Sequence, residues 1–261
     1  MADTDELVNR VMGKLLDASN SGSKPATKNV GKTDLTEFVG TAPVGDTIGM
    51  VIANVDSELS KNLHLQSEFR SLGILSARTG AGPQIMAVDE AVKATNTEVV
   101  SVQMPRDTKG GAGHGSLIIV GGNDVSDVRR AIEVALADVP NKFGDVYNSA
   151  AGHLELQYTA RASEACHFAF GAPVGKAYGL IAGAPAGIGV VMGDTALKAA
   201  NVDVLSFASP AYGTSYSNEG VLHISGDSGA VRQAVIAARE VGLKLLGTLG
   251  EEPKNDFPSY I

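Results

Sequence analysis

The stretch "DTALKAANVDVLS", from Asp194 to Ser206, repeats an earlier stretch of the chain, "DEAVKATNTEVVS", from Asp89 to Ser101. Asp, Ala, Lys, Ala, Asn, Val and Ser stand at matching places, 105 residues apart. Each stretch joins a segment with helix-forming residues to a run of branched apolar residues that is typical of a strand. The chain is therefore predicted to contain the same helix-and-strand unit twice.

The repeat extends in both directions. Downstream, the sequences that begin at Gly115 and Gly220 also match at an offset of 105; upstream, Leu72–Leu75 matches Tyr178–Ile181, and Ile48–Ile52 matches Leu154–Tyr158, both at 106. These matches place copy one at 36–140 and copy two at 144–250. An N-terminal segment, 1–35, and a C-terminal tail, 251–261, lie outside the copies.

Each copy is predicted to have the order βαβαββα, which packs as one sheet with its helices on one face. The elements of copy one are expected at 47–54, 56–69, 71–77, 84–96, 98–103, 115–121 and 125–138. Those of copy two are expected at 153–160, 162–170, 177–183, 189–201, 203–208, 220–225 and 229–242.

Composition excludes several classes of protein. The net charge of −8 argues against nucleic-acid binding, which needs a basic surface. The single cysteine, Cys166, allows no internal disulfide. The most apolar run, Leu180–Met192, is too short and too rich in Gly and Pro to span a membrane, and the N-terminus does not have the pattern of a signal peptide. We therefore expect a soluble, intracellular protein.

The repeated unit resembles the bacterial microcompartment (BMC) shell domain. The resemblance lies in "YGLIAGAPAGIGVVMGDTALKAANVDVLSF" (Tyr178–Phe207) and "GVLHISGDSGAVRQAVIAARE" (Gly220–Glu240). Copy one keeps Asp89, Lys93 and Asn96 but has "GGNDVSDV" where the family has Gly-Asp-x-Gly. The strand and helix that close the family's single-domain members here come first in each copy, which is a circular permutation. The chain is thus similar to tandem, trimer-forming shell proteins of propanediol- and glycerol-using compartments, and the resemblance implies a homotrimeric pseudohexamer.

The resemblance also implies roles for particular residues. Lys93, Asn96, Lys198 and Asn201 would lie at the edge of the disc, against other BMC shell proteins; the alternative is a solvated helix face. The loops between the last two strands of each copy would line a central pore, or would simply be surface loops. The residues concerned are Pro105, Arg106, Asp107, Thr108, Lys109, Gly110, Gly111, Gly113, His114, Pro210, Tyr212, Gly213, Thr214, Ser215, Tyr216, Ser217, Asn218 and Glu219.

The N-terminal segment has its own pattern. Its apolar residues share one face of a predicted helix, and a Gly/Ser/Lys-rich linker follows. By the resemblance, this helix would dock encapsulated enzymes; the alternatives are packing on its own disc or disorder. The apolar residues are Leu7, Val8, Val11, Met12 and Leu15.

Catalytic and cofactor sites are not expected. "GGAGHG" (Gly110–Gly115) lies between two strands rather than before a helix, so it does not fit a phosphate loop. Ala182–Gly189 imitates a dinucleotide fingerprint, but small residues there also suit close strand–helix packing. The five histidines form no metal-binding spacing. We therefore predict no cofactor, no metal and no catalytic residue.

The sequence thus predicts a structural shell protein, not an enzyme, located in a cytoplasmic microcompartment. Its pores would pass a small polar solute such as glycerol or 1,2-propanediol and retain aldehyde intermediates. Asp46 is a candidate for an off-axis channel through each subunit. The rival hypothesis is a soluble regulator that binds a small metabolite between its two repeats.

Overall fold

The computed structural model describes residues 33–65, 69–106, 114–214 and 217–261. Within them, two five-stranded antiparallel sheets follow one another, in the strand orders β1-β2-β3-β5-β4 and β6-β7-β8-β10-β9. Copy one consists of β1 (Phe38–Thr41), β2 (Ile48–Ile52), α1 (Ser57–Asn62), β3 (Ser71–Ala77), α2 (Gly82–Lys93), β4 (Glu98–Gln103), β5 (Ser116–Gly122) and α3 (Val125–Lys142). Copy two consists of β6 (Val146–Ser149), β7 (Gly152–Thr159), α4 (Glu164–Phe170), β8 (Ala177–Ala184), α5 (Ala186–Ala199), β9 (Asp203–Ala208), β10 (Gly220–Gly226) and α6 (Ser228–Gly247).

The predicted βαβαββα order is confirmed, with one edge strand added in front of each copy. β1 and β6 were not predicted, because four residues with one sheet neighbour carry too short a hydrophobic pattern. α1 is shorter than predicted: Asp56 caps it and it ends at Asn62. α3 and α6 are longer than predicted, and α3 continues through Pro140.

Strand pairing corrects two of the predicted alignments between the copies. β3 and β8 match at an offset of 106, as predicted. Opposite Gly73 of β3 stands Val120, and opposite the equivalent Gly179 stands Ile224, so β5 and β10 match at 104 rather than 105. By the same comparison, Gly49 matches Leu156, an offset of 107 rather than 106. A shift of one residue turns side chains to the other face of a sheet, so core positions coincide only in the corrected register.

Each sheet packs one face against its own long helices and forms a separate core. Val51, Leu75, Ile118, Val120, Val128 and Ile132 are buried in the first core, and Leu154, Leu156, Ile181, Leu222, Ile224, Val231 and Val235 in the second. The other face of the second sheet is covered by Met86 of α2, which packs there against Tyr178, Leu180 and Ala182. Phe170 of α4 stacks on Tyr178 on that same face, so the prediction that the helices of a copy share one face of its sheet is wrong for copy two. The two copies therefore meet where α2 of copy one lies on the outer face of the second sheet.

Candidate functional site

The junction between the copies is built around α4. This helix belongs to copy two but contacts α2 and β4 of copy one. Its Ala165 is buried in the first core, and Cys166 packs beside Met86 with 3.5 Å between the two sulfur atoms. Burial raises the pKa of the Cys166 thiol, as does the nearby Asp89 carboxyl group. The thiol is thus a packing group, not a nucleophile.

Asp89 caps α4 from the other copy. It is fully buried, and its Oδ1 accepts hydrogen bonds from Ser163 N at 2.9 Å, Ser163 Oγ at 2.7 Å and Cys166 N at 3.1 Å. In return, Glu164 Oε2 accepts from Val99 N at 3.1 Å. The first N–H groups of a helix need acceptors, which a carboxylate supplies well. The Asp of the repeated Asp-x-x-x-Lys pattern therefore holds the junction together in copy one.

The two lysines of that pattern have different surroundings. Lys93 Nζ lies 2.8 Å from Glu90 Oε1 and 3.4 Å from Asp89 Oδ2, and it donates to Arg161 O of copy two at 2.9 Å. Lys198 pairs with Asp194 on its own helix at 2.7 Å, and its side chain is 75% exposed. Lys93 is thus engaged at the junction, which its sequence pattern did not indicate.

The disc-edge role predicted for the four residues stays a prediction. Asn96 and Asn201 are exposed, as is Lys198. The contacts make Lys198 and Asn201 better candidates for an external contact than Lys93, because copy two already occupies the Lys93 ammonium group.

Copy two exposes an apolar face that copy one buries. This face, here called the copy-two face, consists of Val190, Val191, Leu197, Val204 and Phe207 on α5 and β9. Val190 and Val204 are 52% and 51% exposed, whereas their copy-one equivalents Ile85 and Val99 are 0% and 3% exposed. Ile85 and Val99 are buried because α4 covers α2 and β4. Among the described residues, no second α4 covers the copy-two face.

The second predicted pore loop is held against its own sheet. Ser209 and Tyr212 exchange backbone hydrogen bonds at 2.7 and 2.9 Å, and the Tyr212 side chain is exposed. Asn218 Oδ1 accepts from Ala186 N at 3.0 Å, at the start of α5. Glu219 is buried, with His153 Nε2 at 2.9 Å from Oε1 and Ser217 Oγ donating to Oε2 at 2.8 Å. The loop therefore projects from a fixed base.

Several predicted site residues lie outside the described residues. In the first loop the structure describes only the base, where Gly115 N donates to Pro105 O at 2.8 Å and where Arg106 and His114 stand. The residues outside are Asp107, Thr108, Lys109, Gly110, Gly111 and Gly113, together with Ser215 and Tyr216 of the second loop and Leu7, Val8, Val11, Met12 and Leu15 of the N-terminal segment. Their roles in a pore and in enzyme docking stay predictions.

A cavity of about 440 Å³ lies at the junction, between the two loops and the second sheet. Copy one contributes the turn that begins α2 and the loop base; copy two contributes the outer face of its sheet, the end of α4 and the second loop. The lining residues are Gly80, Ala81, Gly82, Met104, His114, Glu155, Ala169, Phe170, Leu180, Ala182, Ser206, Phe207, Ala208, Tyr212, Gly213, Thr214, Glu219, Val221 and His223. The cavity is thus mainly apolar, with a few polar groups, as small-molecule sites are.

The ionisable groups that line the cavity differ in their pKa values and therefore in their protonation near pH 7. Burial raises the pKa of Glu155 to about 8, and the negative charge of Glu219 adds to the rise. Burial also opposes ionisation of Glu219, but the hydrogen bonds from His153 and Ser217 outweigh it, and the pKa of Glu219 lies below its ordinary value. Burial lowers the pKa of His223 to about 4, so this imidazole is neutral near pH 7. The Glu155–Glu219 pair then carries one negative charge.

Phe170 and His223 line the cavity and belong to an aromatic cluster. The ring of Phe170 stacks on Tyr178 at 5.5 Å and on His223 at 5.1 Å between centroids. The Tyr178 hydroxyl lies 2.7 Å from His223 Nδ1, which orients the imidazole. The cluster is rigid because its rings are fixed by packing and by this hydrogen bond.

Asp46 does not line the cavity. It lies in the exposed turn between β1 and β2, with a backbone φ of 45°. The cavity therefore gives no support to an off-axis channel at Asp46, and that assignment stays a prediction. Within the described ranges, no group of His, Cys, Asp or Glu could hold a metal ion, and no helix is long and apolar enough to cross a membrane.

Sequence reasoning missed Glu155, His223 and the trans-capping role of Asp89. Glu155 interrupts the apolar strand "LELQY", and a carboxyl group in such a place is a signal for a special environment. His223 stands likewise within the strand "GVLHISG". The sequence assigns no role to Asp89, because its partner Ser163 is 74 residues away.

Comparison with known proteins agrees with this fold. The BMC domain family model matches residues 71–151 and 177–251. A bacterial microcompartment shell protein PduB from Citrobacter freundii is 62% identical, over 99% of both chains. The crystal structure of a trimeric bacterial microcompartment shell protein PduB is 65% identical, covers 87% of this chain and 100% of that chain, and superimposes with a TM-score of 0.85. The crystal structure of EtuB from Clostridium kluyveri is 54% identical, covers 88% and 100%, and gives a TM-score of 0.83.

The family model alone matches more than half of the chain. The matches run from β3 to the turn after β6 and from β8 to just beyond α6, and they leave out the strand and helix that come first in each copy. The relatives are structural shell proteins, which gives the rival hypothesis of a soluble regulator no support. With its two permuted copies and its similarity to a trimeric shell protein of known structure, the chain belongs to the BMC domain family, as a tandem shell protein of a bacterial microcompartment.

Proposed function

We propose that the chain forms homotrimeric tiles of a microcompartment wall, and that the tiles pass small uncharged polar solutes of the 1,2-propanediol or glycerol class while they retain aldehyde intermediates. The repeat supports the trimer. Copy two covers an apolar face of copy one, and the equivalent copy-two face is open. Copy one of a second chain would cover it, and three such contacts close a ring.

The equivalence of the two copies also indicates which helix of a second chain would cover the copy-two face. The N-cap residues of α1 and α4, Asp56 and Ser163, are 107 residues apart, so Leu59 takes the place of Cys166. Leu59 is 45% exposed, whereas Cys166 is fully buried. α1 of a second chain therefore has an exposed apolar residue where the ring contact needs one.

The junction cavity is the observation that supports passage of solutes. Its lining is mainly apolar, and a few hydrogen-bonding groups of Glu155, Glu219 and His223 converge on it. A solute that sheds water needs replacement hydrogen bonds, and hydroxyl groups can use both donors and acceptors. The predicted central pore loops would provide a second route at the symmetry axis.

Passage of solutes can be tested with a substitution that fills the cavity with a larger side chain. Ala182 is buried and lines the cavity, so Ala182→Phe should occupy much of its volume. Purified compartments with this variant should consume 1,2-propanediol several-fold more slowly, and crystals soaked with glycerol should lose any density there. Ala151→Phe, in the exposed β6–β7 turn, is the control. Unchanged consumption with a filled cavity would assign passage to the central loops instead.

The remaining contacts of the tile are proposals of the same kind. Lys198 and Asn201, exposed at the end of α5, would contact neighbouring tiles, including other BMC shell proteins. The apolar face of the predicted N-terminal helix would dock encapsulated enzymes; its separation from both copies by a linker supports this.

A further inference from the structure

The Glu155 carboxyl group is held by a neutral amide, which does not compensate a negative charge. The side chain is 5% exposed, and Oε1 accepts one hydrogen bond, from Gln157 Nε2 at 3.4 Å. Gln157 is itself held, because Nε2 donates to Lys142 O at 3.1 Å and Oε1 accepts from Tyr260 Oη at 2.7 Å. A hydrogen bond from the C-terminal tail thus fixes the Gln157 side chain, and Gln157 in turn fixes the Glu155 carboxyl group.

The same oxygen of the carboxyl group also lies against the start of α2. A Cβ atom on Gly82 would collide with Oε1, so the carboxyl group and the backbone are in close contact there. In the backbone of this turn, Ile85 N donates a hydrogen bond to Ala81 O at 2.9 Å and not to the carboxyl group. No arginine or lysine pairs with Glu155 among the described residues. A buried carboxyl group without a cationic partner favours its protonated form.

The negative charge of Glu219 acts on Glu155, and other ionisable groups lie around this pair. Glu219 has both oxygens satisfied by His153 and Ser217, so it can stay ionised next to a neutral neighbour. The ionisable groups that face the pair are His153 on β7, His114 at the first loop base, Tyr178 on β8, His223 on β10 and Tyr260 of the tail.

We propose that Glu155 is a specificity-determining residue of the junction cavity, where its protonated carboxyl group donates a hydrogen bond to the oxygen of an uncharged hydroxylated ligand. The proposal rests on the proposed passage of such solutes. Glu155 would then be the donor and Glu219 the acceptor, so a diol satisfies both through its two hydroxyl groups. The negative charge of Glu219 would exclude carboxylate anions.

The proposal predicts a pH dependence with a definite sign. The pKa of about 8 means that the donor is present at pH 6 and is lost as pH rises through 8. Above that pH the cavity also gains a second negative charge. Ligand binding should therefore weaken at high pH, and a glutamine at this position, which keeps an N–H donor and cannot ionise, should abolish the dependence.

The experiment titrates glycerol into the full-length trimer at pH 6 and pH 9 and follows the methyl NMR signals of Ala169 and Ala182. Wild type should bind about tenfold more weakly at pH 9, the cost of roughly one hydrogen bond. Glu155→Gln should bind equally at both pH values, and Glu155→Leu weakly at both. Glycerate should bind less tightly than glycerol to wild type. Glu251→Gln, an exposed matched substitution, should behave as wild type.

The outcomes separate the two proposals. If glycerol binds to the cavity with no dependence on pH or on Glu155, the carboxyl group does not donate a hydrogen bond to the ligand. That result would overturn this inference but would leave the proposed passage of solutes intact. If glycerol does not perturb the two methyl groups even at pH 6, this inference fails and so does passage through the junction cavity. As a second readout, the free energy of unfolding of wild type should fall relative to Glu155→Gln between pH 4.5 and 8, because the folded state retains a proton that the unfolded state releases.

Discussion

Asp89 shows how one side chain can join two halves of a chain. Its Oδ1 serves three donors of copy two, and its helix carries Met86, which packs on the second sheet. Asp194, the equivalent residue, lies on the open copy-two face and pairs with Lys198 instead. The same residue type thus has a buried role in one copy and an exposed role in the other.

Removal of this cap should loosen the junction. Asp89→Ala leaves the N–H groups of Ser163 and Cys166 without their acceptor in a buried place, which should lower the free energy of unfolding by about 2–4 kcal/mol. Chemical denaturation followed by circular dichroism measures the loss. Asp203→Ala, at an exposed position, is the control and should change the stability by less than about 0.5 kcal/mol. An equal effect of both substitutions would show that the trans cap contributes nothing.

At the scale of elements, the internal repeat made most of the fold predictable. The seven elements of each copy follow from hydrophobic periodicity and from the matched motifs, such as the Asp and Lys shared by α2 and α5. The edge strands β1 and β6 could not be predicted, since each pairs with one neighbour and carries little pattern. The alignments of β5 with β10 and of β2 with β7 were wrong by one residue, because identity between short strands does not fix which face a residue occupies.

The candidate site was less predictable than the fold, for a physical reason. The cavity forms where the outer face of one sheet meets a helix of the other copy, so its lining is collected from distant parts of the chain. Glu155 and Gly82 are in contact across 73 residues of sequence. Local patterns report the partners within an element, not those across a junction.

The copy-two face of α5 and β9 should be the ring contact. Val191→Asp would place a carboxylate where the equivalent Met86 is fully buried, and an unpaired buried charge costs several kcal/mol, at least about 3 per contact. Light scattering should then give a mass near 26.8 kDa instead of three times that value. Val174→Asp, at a 60% exposed valine outside this face, should remain trimeric. A trimeric Val191→Asp protein would move the ring contact elsewhere.

On the scale of the whole molecule, the two copies share a fold but differ in the surroundings of their equivalent lysines. The proposed ring of three chains would alternate a contact within a chain with a contact between chains. Lys93 takes part in the contact within the chain, whereas Lys198 pairs with Asp194 on its own helix and keeps a side chain that is 75% exposed. For the proposed disc edge, we therefore expect the charged groups to differ from one edge position to the next.

Loss of Lys198 should weaken association between tiles without unfolding the trimer. One exposed polar contact contributes about 1 kcal/mol or less, but each tile repeats it three times, so the effect accumulates across a wall. Electron microscopy should show fewer or smaller sheets for Lys198→Ala, while Lys244→Ala, an exposed lysine on α6, keeps them. Sheets of normal size from Lys198→Ala would mean that this ammonium group faces solvent.

Cys166 gives the molecule an internal reporter. It is the only cysteine in the chain, and it is packed against Met86 at the seam between the copies. A thiol reagent can reach it only when the two halves part, so the rate of its modification measures how often the halves separate under native conditions. A cysteine added on the outside would react at once, and a fluorescent label could be attached there without touching the original thiol.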